Sequence, residues 1–148
     1  MMSFDNLVGI SLDRVTADAD AIGRLLTAAG RNIADAQVTA ISAENRFDAA
    51  YKAIMQLASA ALQAQGYRTL TSKPGHHMTM IQTLGQSVGL TRETVIALDA
   101  LRKQRNAADY TGDIVTPAAV EACLAQAQAL QQAVLQWLKK HKPELLAR

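Results

Sequence analysis

The residues best suited to chemistry stand together near the end of one predicted helix: Arg102, Arg105, Asn106, Asp109 and Tyr110. At about 100° per residue, Arg105 falls between the lines of Leu98 and Leu101, in the middle of that helix's apolar stripe. Arg102 and Asp109 lie close beside it. A solvated charge run would occupy the face opposite the leucines, whereas this one continues their face. Three readings fit. Arg105 and Asp109 stand four residues apart and can pair, with Tyr110 packed over the helix end. Two arginines grouped with Asn and Tyr also suit bidentate contact with phosphate. Finally, two such helix ends could meet in a dimer.

Other reactive types are sparse. His76 and His77 are adjacent in a predicted loop, so they point different ways and do not form the i, i+4 pair of a helical metal site. His77 is expected to steady the loop or cap the next helix, and in the fold it could line the same groove as Arg105. The single cysteine, Cys123, sits on an apolar face and reads as a small buried hydrophobe. Arg68 and Lys73 either add positive charge near the groove or are ordinary surface. The Lys139–Lys142 run reads as a helix terminus. With one cysteine and no carboxylates clustered near the histidines no metal is expected, and no glycine-rich phosphate loop, Ser/His/Asp arrangement or cofactor is expected either.

The elements that must position these groups are helical. Of the 148 residues 49% are hydrophobic and 19% charged, and aromatics are only 4%. Ala, Leu and Gln, all good helix formers, fill most of the chain. The three prolines, Pro74, Pro117 and Pro143, leave long uninterrupted stretches. Residues 1–15 show no period and read as a loosely held arm or a short turn. A first helix is expected from a Thr16 N-cap, with Asp18 and Asp20 in its opening turn and Ile22, Leu25, Leu26 and Ala29 as its stripe. Gly30 marks a stop or kink before a segment Asn32–Ile41. Ser42 then starts the best-patterned helix, with Phe47, Ala50, Tyr51, Ile54, Ala58, Ala61 and Leu62 at helical spacing and Gly66 just past its end.

Tyr67–His77 contains Lys73-Pro74-Gly75 and reads as a loop. A shorter helix carries Met78, Ile81, Leu84 and Val88 and stops at Gly89. Thr91 caps the helix that bears the arginines, which breaks at Thr111-Gly112-Asp113. Thr116-Pro117 opens the last helix, with Val120, Cys123, Leu124, Ala127, Leu130, Val134 and Leu138 on one face. Four main helices plus a short one predict an all-α antiparallel bundle over 16–141, with 142–148 as a tail. With so few large side chains the helices must approach closely at alanines, and an alanine-rich face predicts a homodimer.

Charge excludes some classes. The net charge of +2 is far from the basic stripe of a dedicated DNA binder. The opening residues lack the basic flank and apolar run of a signal peptide, and no stretch reaches the ~20 apolar residues of a membrane span. A cytoplasmic protein without membrane attachment is the expectation.

The run Leu101-Arg102-Lys103-Gln104-Arg105-Asn106-Ala107-Ala108-Asp109-Tyr110 resembles the motif helix of the HEPN superfamily, in which an arginine with a polar neighbour precedes a histidine. The Phe47-Asp48-Ala49-Ala50-Tyr51 helix, the Gly66-Tyr67-Arg68 exit, the Gly75-His76-His77 loop and the Thr116-Pro117 start agree with it in order, over roughly Thr16 to Leu138. The resemblance implies an RNA- or nucleotide-binding domain, of the kind found in toxin–antitoxin and phage-defence systems. It also implies a dimer and metal-independent RNase chemistry, in which the RNA 2′-hydroxyl attacks the phosphorus.

Arg105 takes the arginine's place and Asn106 the polar neighbour's, with Arg102, Asp109 and His77 around the ligand. Tyr110 stands where the family has histidine. Histidine titrates near neutrality and tyrosine near pH 10, so a tyrosine there is a poor general base. Endoribonuclease activity is therefore expected to be weak or lost. Some HEPN proteins pair with nucleotidyltransferase antitoxins that modify a tyrosine near the motif, which makes such an enzyme a candidate partner. The alternative is a non-catalytic interaction or dimerisation module.

Overall fold

The computed structural model describes residues 4–146. It is an all-α fold: α1 (Ala19–Ala36), α2 (Ala43–Ala64), α3 (His76–Gln82), α4 (Leu84–Ser87), α5 (Arg92–Thr111) and α6 (Pro117–His141). One small antiparallel sheet joins β1 (Leu12–Arg14) to β2 (Tyr67–Thr69). Among the described residues no helix is long and apolar enough to cross a membrane.

Helix α2 is the axis. Its alanines and aliphatics are buried on nearly every side, from Phe47 and Ala50 through Ile54 and Leu57 to Ala64. Small side chains allow α1, α6, α3 and α5 to close around it. Specific contacts give the directions. Arg46 Nε at the start of α2 donates to Ala36 O at the end of α1, and further on the Asn32 amide donates to Gln56. These helices are therefore antiparallel. Gln65 at the end of α2 donates to Ser87 O just before α5, whereas Arg105 late in α5 reaches Asp48 early in α2. Helix α5 thus also runs against α2. On α6, Glu121 pairs with Arg46 and Gln131 lies against Gly30, so α6 runs against α1.

The boundaries follow local chemistry, with several departures from the sequence reading, among them the division of the expected short helix at Thr83 into α3 and α4. Residues 12–14 are clasped and not loose: Leu12 is fully buried, and Leu12, Asp13 and Arg14 pair with Thr69, Arg68 and Tyr67. The Phe4 and Tyr67 rings pack edge to face, and the Tyr67 hydroxyl donates to Asp5. Residues 1–3 of the expected arm, and 147–148 of the expected tail, lie outside the described residues.

Helix α1 is capped by Asp18 and not Thr16. The Val15 N–H bonds Gly66 O and keeps that stretch extended, so the Asp18 carboxylate meets the Asp20 N–H first. Gly30 does not stop α1. It lies where a Cβ would come within 3.7 Å of Gln131, and the helix continues to Ala36 and ends short of Ile41. Finally, Tyr67–His77 is not all loop. It supplies β2, and His76 and His77 form the first turn of α3 after Gly75, whose φ of 78° is left-handed. The caps at Ser42, Thr91 and Thr116 stand where the sequence puts them, each accepting a backbone N–H three residues on. Leu145 in the tail is buried against the core.

Candidate functional site

Helix α5 carries Leu98 and Leu101 into the core and then has no further large aliphatic side chain. On the same face the next turns present Arg102, Arg105 and Asn106, all partly buried. Packing of α3 against α5 brings His76 and His77 opposite them. The two elements enclose an open cleft of about 330 Å³ lined by the two histidines, Arg102, Arg105, Asn106 and Tyr110. A second cleft of about 390 Å³ adjoins it across the shared side chains of Arg105 and His77, and is walled by Asp48, Tyr51, Lys52 and Met55 of α2.

Both arginines are held by carboxylates. Arg102 Nε donates to Asp99 at 2.7 Å, the Lys103 ammonium lies 3.6 Å from the other carboxylate oxygen, and the hydrogen bond from Arg102 is the main cause that lowers the Asp99 pKa. Arg105 Nε lies 3.2 Å from Asp109 and 4.0 Å from Asp48, with its guanidinium 5.3 Å from the Tyr51 ring centroid. Asp48 is raised above its usual value by burial and by Asp109, against the pull of Arg105. The arginine is therefore partly neutralised, yet it borders open space on two sides. Among the described residues the Asn106 amide has no hydrogen-bond partner.

The histidine is oriented. Tyr51 is buried, and its hydroxyl lies 3.2 Å from His77 Nδ1. Burial pushes the Tyr51 hydroxyl up to about 12, so it keeps its proton. Tyr51 also lines the open cleft beside α2, so its hydroxyl either donates to Nδ1 or accepts from it. In the first arrangement the neutral ring carries its proton on Nε2 and offers a hydrogen-bond donor there. Burial first, then His76, Arg105 and Arg102, push His77 below its usual value, so it is neutral at pH 7. The rings of His76 and His77 stand edge-on at 4.7 Å.

The sequence-derived residues thus divide. Arg102, Arg105, Asn106, Tyr110 and His77 meet at one cleft. Asp109 is outside its lining and acts on it through Arg105. Tyr110 is 85% exposed at the rim, not packed over the helix end. Asp48, Tyr51 and Lys52 were missed as site residues. Their signal was there: i, i+3 and i+4 on α2, with Met55 at i+7, form one face. Cys123 is buried beside Phe47 O, and burial drives its thiol up to about 12, which removes it as a nucleophile. Among the described residues no group of three or more His, Cys, Asp or Glu gathers as a metal set would. No family model matches the chain, and no curated protein matches it.

Proposed function

We propose that the chain is a HEPN-like RNA- or nucleotide-binding domain that grips a phosphate in the cleft between α3 and α5 and cleaves RNA weakly or not at all. The observation that carries this reading is the convergence on one open cleft of two partly buried guanidiniums, the unpartnered Asn106 amide and the His77 ring held by Tyr51. Arg105 and Arg102 supply charge-assisted contacts to phosphate oxygens, and Asn106 and His77 Nε2–H add neutral donors. The same donors explain the expected inactivity. A ring presenting Nε2–H does not take a proton from a 2′-hydroxyl, and Tyr110 brings only a solvent-exposed phenol.

The test is fluorescence anisotropy with a labelled single-stranded RNA, alongside a cleavage assay of the same RNA in chelator. Arg105→Ala is expected to lose about tenfold or more in affinity, since a charge-assisted hydrogen bond is worth roughly 1.5–3 kcal/mol. Robust turnover by the wild type that Arg105→Ala abolishes would refute the assignment of a binding role without catalysis.

A second reading, a helical interaction module, draws support from Arg105 bridging Asp109 of α5 and Asp48 of α2. Under it Arg105→Ala lowers the melting temperature or dissociates an oligomer, with no RNA affinity to lose. Both readings include a homodimer. The exposed Ile114, just past the end of α5, offers it apolar surface. The exposure of Tyr110 also suits a nucleotidyltransferase partner, and mass spectrometry of Tyr110 after incubation with such an enzyme tests that.

A further inference from the structure

A third cleft extends the site beyond one phosphate. It lies between α1 and α2, has a volume of about 400 Å³, and includes Arg31, Asn32, Asp35, Lys52 and Gln56 in its lining. Lys52 belongs both to this cleft and to the one beside Tyr51, which in turn shares Arg105 and His77 with the α3–α5 cleft. The three hollows therefore form a chain across the molecule, from α1 over α2 to α5. Packed helices sit about 8–10 Å apart, so two such steps span up to about 20 Å, more than one nucleotide phosphate needs.

Cations recur along this course: Arg31, then Lys52, then Arg105 and Arg102. The last two are braced by carboxylates, but neither Arg31 nor Lys52 has an ion pair among the described residues. Both are exposed. Asp35 and Asp48 border the same hollows, so the course is one of spaced cations and not a uniform basic patch. Polar side chains intervene, with the Asn32 amide donating to Gln56 at 2.8 Å in the first hollow. At the far end Tyr110 stands 85% exposed, a free aromatic face on which a base can stack.

We propose that the ligand is a single-stranded nucleic acid of several nucleotides, its backbone following Arg31, Lys52 and Arg105 in turn and one base stacking on Tyr110. This rests on the phosphate-binding reading of the α3–α5 cleft and adds to it the class and length of the ligand. Duplex fits poorly, because its bases are already stacked on one another and leave none for Tyr110.

The experiment compares wild type, Arg31→Gln, Lys52→Ala and Lys52→Glu on a trinucleotide and on an oligouridylate of about twelve nucleotides, within the site sizes known for single-strand binders. Wild type is expected to bind the longer RNA more tightly. Each variant should lose several-fold on the long RNA, most for Lys52→Glu, and Arg31→Gln, outside the phosphate cleft, should stay within twofold on the trinucleotide. The salt dependence of long-RNA binding should flatten by about 0.7 in logarithmic slope for each cation removed. Equal affinity for both lengths, losses that do not depend on length, or tighter binding of a duplex of the same sequence each overturn the track. If Arg105→Ala still loses binding in those cases, the phosphate cleft stands without it. Failure of wild type to bind either RNA overturns both.

Discussion

The hydroxyl of Tyr51 on α2 lies 3.2 Å from Nδ1 of His77 on α3, and this one hydrogen bond ties the imidazole tautomer to the direction of the hydroxyl. Removing the hydroxyl in Tyr51→Phe keeps the ring and releases the histidine. A net loss of about 1 kcal/mol is expected, typical of one hydrogen bond, which lowers the melting temperature by a few degrees. RNA affinity should fall several-fold because His77 no longer holds one orientation. Thermal unfolding and anisotropy on the same sample check both, and unchanged affinity would detach His77 from the ligand.

His77 also makes the protein pH-sensitive. Its folded pKa lies below its ordinary value of 6.5. Between those two values the unfolded chain binds the proton and the folded chain does not, so stability is greatest above 6.5 and falls as pH drops toward the folded value. His77→Gln should show a shallower decline in melting temperature over that range. Bound phosphate acts the other way, since an anion favours the imidazolium, so RNA should bind more tightly as pH falls. Affinity that is flat from about pH 7.5 to 5.5, where an imidazole titrates, would mean that His77 does not face the phosphate.

Asp48 competes with the ligand for Arg105. Its raised pKa marks a carboxylate whose charged form is disfavoured where it stands, first by burial and then by Asp109. Its unfavourable contribution is absent below the unfolded pKa and develops as pH rises through the folded one, so Asp48→Asn should not lose stability at neutral pH. Freed of one carboxylate, Arg105 should bind RNA up to about fivefold more tightly, the most that an exposed ion pair of 0.2–1 kcal/mol allows. Titration calorimetry of wild type and variant decides it. Weaker binding would show that Asp48 orients the guanidinium and does not compete for it.

How much of this was legible depends on how local each signal is. Thr116-Pro117 and the seven apolar residues from Val120 to Leu138 specify α6 within their own stretch of chain, and the structure follows them. The clustering of Arg102, Arg105 and Asn106 was likewise readable from one helix. The pairing of Leu12 with Thr69 was not, because three residues give no period and their partner is distant in the chain. Asp18 displaced Thr16 as the cap for the same reason: the hydrogen bond from Val15 to Gly66 O, made across the fold, holds the backbone extended. At the site, His77 could be named as a neighbour of Arg105 but not placed. Tyr51 was read as core, which it is, while its hydroxyl does something that apolar periodicity cannot signal.

The sheet offers a separate check on the architecture. Leu12 is fully buried on a strand only three residues long, so its side chain and the ladder depend on each other. Leu12→Ala is expected to cost about 2–5 kcal/mol in urea unfolding, as other buried leucines do. A cost near zero would mean that the strand adds nothing to the core.

Asp13 and Arg68, partners across that sheet, are 55 positions apart in the chain. A ribosome therefore finishes both α1 and α2 before the first strand has anything to join. Leu12–Arg14 must wait for their ladder until the turn after α2 follows them out. The helical hairpin comes first and the clasp closes over it.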